Sequence, residues 1–321
     1  MAAETLVEVK DLSRFYGHIP AVKNISFSVA KGEVLGFLGP NGAGKTTTMQ
    51  IITGNLAPSA GSICIAGRDL LEEPQAAKAA IGYLPEQPPV YRELTVDEYL
   101  DYAAALNRIP RPQRLTARDT AKQKCGLTEV GRRLIGNLSK GYQQRVGIAQ
   151  AIIHMPPVVI LDEPTVGLDP IQIREIRNLI QELSQEHSVI LSSHILPEIQ
   201  MTCSRVQIIN KGELVMSDTI DGLQQHLSGA SITAAFRNSP AVSELESQPG
   251  VQKVTQEKEG YMRIFFEKDQ DSTDAIVSAA VQNNWGLTEL RPGRVSLEDI
   301  FVELTTDESD SASNNTGEEA A

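Results

Sequence analysis

The sequence predicts an α/β domain with a helical insertion, followed by a small α+β domain. In residues 1–220, short apolar segments alternate with helix-forming segments, a pattern typical of a sheet covered by helices. Residues 90–150 are mostly helix-forming and make up the insertion. Residues 221–305 carry strand and helix signals in the order β-α-β-β-α-β, which is typical of a ferredoxin-like domain. Residues 306–321 are acidic and poor in apolar side chains, and we expect a disordered tail there.

Brief apolar runs bounded by turn residues predict the strands of the first domain. These runs are residues 6–9, 25–29, 34–38, 62–66, 158–161, 189–191, 206–210 and 213–216. Helices are predicted at residues 45–53, 95–106, 118–124, 139–154 and 171–185. Because residues 158–161 are apolar without interruption, we expect that strand to be buried on both faces of a sheet.

The second domain is predicted from the same kinds of pattern. Its strands are expected at residues 231–237, 251–255, 261–267 and 286–290, and its helices at 241–247 and 274–282. A last helix is predicted at residues 296–304, with Ser296 as its N-cap.

A glycine-rich loop after the predicted strand 34–38 has the pattern G-x-x-x-x-G-K-[ST]. The loop and its flank consist of Gly39, Pro40, Asn41, Gly42, Ala43, Gly44, Lys45, Thr46 and Thr47. Glycines let backbone N–H groups turn toward phosphate oxygens, and the following helix adds the positive end of its dipole. We expect Lys45 to reach the β- and γ-phosphates of ATP and the hydroxyl of Thr46 to ligate Mg²⁺.

Two carboxylates, Asp162 and Glu163, follow the apolar run 158–161. Beside a phosphate loop, Asp162 can hold Mg²⁺ through water, and Glu163 is then placed to polarise the attacking water. His194 also follows a predicted strand, at the edge of the sheet where α/β domains bind ligands. The first domain has no Asn-Lys-x-Asp motif for guanine, which argues against a GTPase.

These motifs, in this order, resemble the ATP-binding subunits of ABC transporters over residues 6–218. The matching residues are the signature-like Leu138-Ser139-Lys140-Gly141-Tyr142, the D-loop-like Gly167-Leu168-Asp169, the switch histidine His194, and Tyr16 at the position that stacks on adenine. The resemblance implies a P-loop ABC ATPase fold and ATP hydrolysis, with Glu163 as general base and His194 at the γ-phosphate. Lys140 and Tyr142 replace the usual glycine and glutamine of the signature.

Ser139 and Gly141 lie at the predicted start of a helix and therefore form a second anion site. A two-fold dimer would place them on the ATP of the other subunit, which is the arrangement that the family uses. We expect a homodimer, or a heterodimer with a close relative.

The stretch at residues 81–87 resembles the family's Q-loop. Counting back from Leu94, the usual glutamine position falls on Glu86, and Gln87 comes one residue late. The sequence leaves open which of the two side chains serves as the Mg²⁺ ligand.

Charge and hydropathy limit the partners that we expect. The net charge is -12, of which the acidic tail contributes -5, and nucleic-acid binding needs a basic stripe instead. No apolar run approaches the ~18 residues of a membrane span, and the first ten residues do not have the pattern of a signal peptide.

The resemblance, including the closing stretch at residues 295–305, implies an exporter-type subunit. Such a subunit lies peripherally on the cytoplasmic face of the cell membrane and drives a separate transmembrane permease. The alternative is a non-transport ABC-type ATPase that acts on ribosomes or nucleic acid. The single phosphate loop and the lack of a cysteine cluster argue against this alternative.

Overall fold

The structure is a computed structural model that describes residues 4–222, 231–256, 260–266 and 272–293. The chain divides into two compact units, Met1–Ile220 and Asp221–Ala321. The helix predicted at residues 296–304 and the tail at 306–321 lie outside the described residues.

The first unit contains ten strands and seven α-helices among its described residues. In chain order these are β1 (Thr5–Tyr16), β2 (Ile19–Ala30), β3 (Val34–Leu38), α1 (Lys45–Ile52), β4 (Ala60–Ile65), β5 (Arg68–Asp69), α2 (Pro74–Ala79), β6 (Ile81–Leu84), α3 (Val96–Leu106), α4 (Arg111–Lys124), α5 (Lys140–Ile152), β7 (Val158–Asp162), α6 (Pro170–Leu183), β8 (Ser188–Ser193), α7 (Leu196–Thr202), β9 (Arg205–Asn210) and β10 (Glu213–Thr219).

A six-stranded sheet with the order β10-β9-β3-β8-β7-β6 lies at the centre of this unit. Its neighbouring strands are parallel except for the β9–β10 hairpin. All five residues of β7 are buried, as the uninterrupted apolar pattern predicts. The strand β6, which has no prediction of its own, pairs with β7 at the edge of the sheet.

A second, antiparallel sheet has the order β2-β1-β4-β5. The first two strands are twelve residues long, although the sequence predicts only four or five residues in each. Register shifts interrupt their pairing, and Asp11 and Asn24 have left-handed φ angles of 51° and 48°. Such bulges break the two-residue alternation, and the alternation therefore does not show the full length of the strands.

Helix α1 joins the two sheets through one apolar core. Met49, Ile51 and Ile52 of α1 are fully buried, and they belong to the same cluster as Val7 of the antiparallel sheet and Ile160 of the parallel sheet. The phosphate loop, which directly precedes α1, is therefore anchored at a helix that contacts both sheets.

Helices α3, α4 and α5 form the predicted helical insertion. Thr95 and Glu98 form a capping box at the start of α3. Helix α4 begins at Arg111, seven residues earlier than predicted, because Pro112 occupies the first turn, where proline is tolerated. Lys122 of α4 lies 2.5 Å from Asp97 of α3, which ties the two helices together.

The second unit has the ferredoxin-like arrangement. Its elements are β11 (Ser231–Phe236), α8 (Val242–Glu246), β12 (Val251–Gln256), β13 (Tyr261–Phe266), α9 (Thr273–Gln282) and β14 (Leu287–Gly293). The antiparallel sheet has the order β12-β13-β11-β14, so the first and third strands are central, as in a split βαβ fold. Trp285 packs edge-on against Phe236, with 5.9 Å between the ring centroids.

The register of the parallel sheet brings the predicted motifs to one edge. Leu38, the last residue of β3, pairs with Ser193, and Asp162 at the end of β7 pairs with Ser192. Since β3, β8 and β7 are adjacent, the phosphate loop, the acidic pair and His194 all leave the sheet at its carboxyl edge, where ligands bind in such folds.

Candidate active site

A pocket of about 470 Å³ lies at this edge of the sheet, within the range of ~300–1,000 Å³ typical of small-molecule sites. The phosphate loop contributes Asn41, Gly42, Gly44, Lys45, Thr46 and Thr47 to its wall. Glu86, Glu163 and His194 also line it, together with Ala21 and Val166, which the motifs do not indicate.

Lys45 is almost completely buried at the bottom of the loop. Its Nζ donates to the carbonyl oxygens of Gly39 at 2.8 Å and Pro40 at 3.2 Å. Gly44 has a φ of 108°, and a Cβ there would lie 2.5 Å from the carbonyl oxygen of Ala21, so only glycine is accommodated. The backbone of the loop therefore surrounds the ammonium group of Lys45.

Ala43 anchors the middle of the loop. Its side chain is buried, and its carbonyl oxygen accepts a hydrogen bond of 2.9 Å from the N–H of Gly212. The loop is thereby held against the turn between β9 and β10.

Asp162 is fully buried and lies between two hydroxyl groups. Its Oδ1 accepts hydrogen bonds from the Oγ of Ser192 at 2.6 Å and the Oγ1 of Thr46 at 3.4 Å. Its Oδ2 is buried and has no hydrogen-bond partner among the described residues. Burial, with the charges of Glu163 and Glu86 adding to it, raises the pKa of Asp162 above its ordinary value.

These oxygen atoms are suited to Mg²⁺. The buried Oδ2 of Asp162 lacks a partner, and the hydroxyl of Thr46 and the carboxylate of Glu86 are nearby. Magnesium prefers oxygen ligands and is usually held by one or two carboxylates together with phosphates and water. In the described part of the chain no group of three or more metal-ligating side chains occurs, and a Mg²⁺ site of this kind does not need one.

Glu163 follows β7 with a left-handed φ of 47°, a conformation that costs a side-chain-bearing residue about 1–2 kcal/mol. Its N–H donates to the Oγ of Ser192 at 2.9 Å, which helps to hold this turn. The buried carboxylate is thereby directed between Lys45 and His194, with Oε1 3.3 Å from the Nζ of Lys45 and Oε2 2.9 Å from the Nδ1 of His194.

Ser192 and the neighbouring polar residues have functions in the site that the motifs do not indicate. The hydroxyl of Ser192 contacts both Asp162 and the backbone of Glu163, and the buried Glu198 accepts hydrogen bonds from Thr165 and Ser193. A usable sequence signal is the pair of serines, Ser192 and Ser193, that directly follows the apolar run at residues 189–191.

Ser139, Gly141 and Asp169 do not line this pocket. Ser139 caps α5 by accepting from the N–H of Tyr142 at 3.4 Å, and Asp169 caps α6 by accepting from two N–H groups. A Cβ on Gly141 would lie 2.7 Å from the side chain of Gln172, so the N-termini of α5 and α6 are in close contact. The signature-like and D-loop-like residues therefore share one surface, separate from the pocket of their own chain.

Gln87 and Tyr16, which the sequence also predicts for the site, lie outside the pocket wall. Gln87 is not among the residues that line it, whereas Glu86 is. Tyr16 is also outside the pocket wall, with 47% of its surface exposed, and the guanidinium of Arg14 lies 5.0 Å from its ring centroid. Its stacking on adenine remains a prediction.

Comparisons with known proteins identify the family. Residues 22–166 match the family model described as ABC transporter. The ABC transporter ATP-binding protein YxlF of Bacillus subtilis is 31% identical over 93% of this chain and 99% of its own length. The bacitracin transport ATP-binding protein BcrA of Bacillus licheniformis is 33% identical over 94% of this chain and 97% of its own length. This chain belongs to the family of ABC transporter ATP-binding proteins.

Solved structures of the family have the same fold. An ATP-binding subunit of an ABC transporter superposes with a TM-score of 0.62 at 32% identity and covers 68% of this chain and 92% of its own. CbiO1 from Clostridium perfringens, part of the cbiONQ transporter complex, gives a TM-score of 0.64 at 27% identity, covering 68% and 90%. The predicted fold class is thus confirmed.

The chain is an ATP-binding and ATP-hydrolysing subunit of an ABC transporter. Among the solved relatives, CbiO1 is part of a transporter complex, and the bacterial ABC transporter cassette MJ0796 has a dimeric structure. The comparisons lend no support to the alternative of an ATPase that acts on ribosomes or nucleic acid. Among the described residues, no helix combines the length and the apolar character needed to cross a bilayer.

The raised pKa of Asp162 predicts a pH dependence of stability. The folded chain holds this proton more tightly than the unfolded chain does, so the stability of the nucleotide-free protein falls as the pH rises from about 4 through the raised pKa. Asp162→Asn removes the titrating charge. Without nucleotide or Mg²⁺, the melting temperature of this variant relative to wild type is therefore expected to increase with pH.

Glu98 provides a control of opposite sign. Hydrogen bonds from the N–H and the hydroxyl of Thr95 lower the pKa of Glu98, so Glu98→Gln is expected to lose stability relative to wild type as the pH rises. A melting-temperature difference for Asp162→Asn that stays constant from roughly pH 4 to 8 contradicts the expected titration.

Proposed function

We propose that this chain is the ATPase of an exporter, which forms a dimer around two Mg–ATP and drives a separate membrane permease from the cytoplasmic face of the cell membrane. The observation that carries the proposal is the row of contacts from Lys45 through Glu163 to His194 inside the pocket. These contacts bring a phosphate-binding cation, a carboxylate base and an imidazole together at one phosphate loop.

Binding of ATP changes the partner of Lys45. The γ-phosphate carries more negative charge than Glu163 and is also bound by the N–H groups of the loop, so it replaces the carboxylate at the Nζ of Lys45. Glu163 is then free to accept a proton from the attacking water, a function that contributes about 10²–10⁴-fold to a reaction rate.

His194 and Lys45 stabilise the charge that develops on the transferred phosphoryl group. The imidazole is already oriented by the 2.9 Å contact of its Nδ1 with Glu163, and its other nitrogen remains for the phosphate. Preorganised cations and N–H groups around the transferred phosphoryl group account for much of the catalysis of phosphoryl transfer.

Thr46 and Asp162, together with Glu86 or Gln87, would hold Mg²⁺. Once held there, the ion would neutralise charge on the β- and γ-phosphates. The position of Glu86 in the pocket wall, and its influence on the pKa of Asp162, support Glu86 as the third ligand.

A second copy completes the site. The helix N-terminus at Ser139 and Gly141 lies outside the pocket of its own chain, and it is suited to an anion. In a two-fold dimer these residues, with Asp169 close by, contact the ATP of the partner. A heterodimer with a close relative would use the same surface.

Relatives and the surface of the helical insertion support export through a permease. BcrA is named for bacitracin transport, and LnrL of Bacillus subtilis for linearmycin resistance. Next to the Q-loop, Tyr91 and Tyr102 are 47% and 43% exposed, with 5.8 Å between their ring centroids. Exposed aromatic side chains of this kind are typical of protein interfaces, and we place the permease contact there.

The variant Glu163→Gln tests the general base. It keeps the shape of the side chain but cannot accept a proton, so ATP hydrolysis is expected to fall about 100-fold or more, while ATP binding is retained. Lys45→Ala is the comparison and is expected to lose ATP binding itself. Normal turnover by Glu163→Gln would refute the role given to this residue.

Alanine variants of Glu86 and Gln87 identify the Q-loop ligand. Glu86→Ala is expected to shift the Mg²⁺ dependence of ATP hydrolysis to higher concentrations, since a carboxylate ligand is lost. Gln87→Ala should leave that dependence as in wild type. The reverse result assigns the ligand to Gln87, and no change in either variant shows that the Q-loop lies elsewhere.

Affinity capture from detergent-solubilised membranes tests the permease partner. The wild-type chain is expected to retain a protein with several membrane spans, and Tyr91→Ala/Tyr102→Ala to retain at least about 10-fold less, as for interface hot spots. Leu115→Ala, which changes another exposed apolar side chain of the insertion, is the matched control. Retention of ribosomal proteins or nucleic acid in place of a membrane protein would favour the alternative function.

A further inference from the structure

Glu198 on α7 is a buried carboxylate in the first unit, with 7% of its surface exposed. Its Oε2 accepts two hydrogen bonds, from the Oγ1 of Thr165 at 2.5 Å and from the Oγ of Ser193 at 3.2 Å. Both donors are buried hydroxyl groups. No known function of the pocket uses this carboxylate, which does not line it.

The two hydroxyl donors belong to the two segments that carry the reacting side chains. Thr165 comes two residues after Glu163, and Ser193 directly precedes His194. The Oγ of Ser193 also accepts from the N–H of Ile195 at 3.0 Å, so the backbone on both sides of His194 is tied to the same group. Glu198 therefore connects the loop of the base with the loop of the imidazole.

Stability alone does not account for this carboxylate. Moving a carboxylate out of water is unfavourable, and two neutral hydroxyl donors compensate less well than a cation does. An apolar side chain of similar size would fill the same space without that cost. What the carboxylate adds is a single acceptor atom that fixes two hydroxyl groups, and hence two loops, at a set distance.

We propose that Glu198 is a positioning residue that holds Glu163 and His194 in their 2.9 Å contact. The proposal rests on the functions of Glu163 and His194 proposed above. Ser192 ties the two segments at the ends of their strands, and Glu198 ties them beyond that point. Without the carboxylate, the loops beyond the strand ends lose their shared acceptor, and the base and the imidazole no longer meet correctly at the γ-phosphate. A displacement of about 1 Å in a reacting group is enough to reduce a rate by about 100-fold.

The test is the steady-state ATP hydrolysis of the full chain and its variants. Glu198→Ala is expected to lower kcat by about 10- to 100-fold and to change KM for ATP by less than about 2-fold, since phosphate binding by the loop is untouched. Glu198→Gln is expected to stay within about 3-fold of wild type, because its carbonyl oxygen still accepts from both hydroxyl groups. A wild-type kcat for Glu198→Ala would overturn the proposal.

A double-variant cycle separates positioning from a general structural effect. If Glu198 acts through His194, then Glu198→Ala costs little further activity in a His194→Ala chain. If the loss of kcat in the double variant equals the product of the losses in the two single variants, Glu198 acts independently of His194. That result would refute the proposed function of Glu198.

Glu33 provides a matched control. It is also a largely buried carboxylate, bonded to Arg205 at 2.6 Å and to the N–H of Ala30 at 2.7 Å, but it precedes β3 and lies at the opposite edge of the sheet. Glu33→Ala is expected to lower the melting temperature without lowering kcat. If Glu33→Ala lowers kcat as Glu198→Ala does, loss of any buried carboxylate explains the result and the proposal fails.

Two single-hydroxyl variants cover the case in which Glu198→Ala does not fold. Thr165→Val and Ser193→Ala each remove one of the two hydrogen bonds to Glu198, and each is expected to lower kcat by about 3- to 10-fold. Wild-type kcat in both would overturn the proposal.

Failure of the proposed site and failure of this inference give different results. If Glu163→Gln and His194→Ala hydrolyse ATP at the wild-type rate, the site assignment itself is wrong. If both are inactive while Glu198→Ala is fully active, only the inference about Glu198 is wrong.

Discussion

The buried ion pair between Lys45 and Glu163 is the interaction on which the geometry of this site depends. Both side chains are more than nine-tenths buried, with 3.3 Å between the charged atoms, and a buried charge left alone would cost several kcal/mol. The lysine comes from the loop after β3, and the glutamate comes from the turn after β7. The pair therefore joins two elements that are more than a hundred residues apart in sequence, and it holds the nucleotide-free pocket in one arrangement.

The parallel sheet makes this pair possible. Adjacent parallel strands end at the same edge, so the register of β3, β8 and β7 brings Leu38, Ser193 and Asp162 to the same edge of the sheet. The hydroxyl of Ser192 in β8 donates to the carboxylate of Asp162 and accepts from the N–H of Glu163. These bonds stabilise the left-handed turn at Glu163. The chemistry of the site is thus a consequence of strand register combined with one hydroxyl group in the middle strand.

Those parts of the site that depend on local sequence were predictable, and those that depend on pairing between distant segments were not. The phosphate loop is continuous in sequence, so Lys45 and Thr46 are identified by spacing alone. The left-handed backbone of Glu163 and the bond of Glu198 to Thr165 have no local pattern, because each is decided by a partner about thirty residues away. The same holds for the fold, since bulges hide the length of β1 and β2 while the apolar β7 is evident.

The ion pair also explains why the surface outside the pocket matters to the reaction. Once a phosphate replaces Glu163 at Lys45, the turn after β7 loses one of its anchors, and this turn continues through Thr165 to Asp169 at the start of α6. The start of α6 packs on Gly141 so closely that a single Cβ would collide with Gln172. The turn after β7, the start of α6 and the start of α5 therefore form a continuous path of chain and side-chain contact. This path joins the pocket to the surface that carries Ser139 and Asp169, through which we propose that a second copy completes the site.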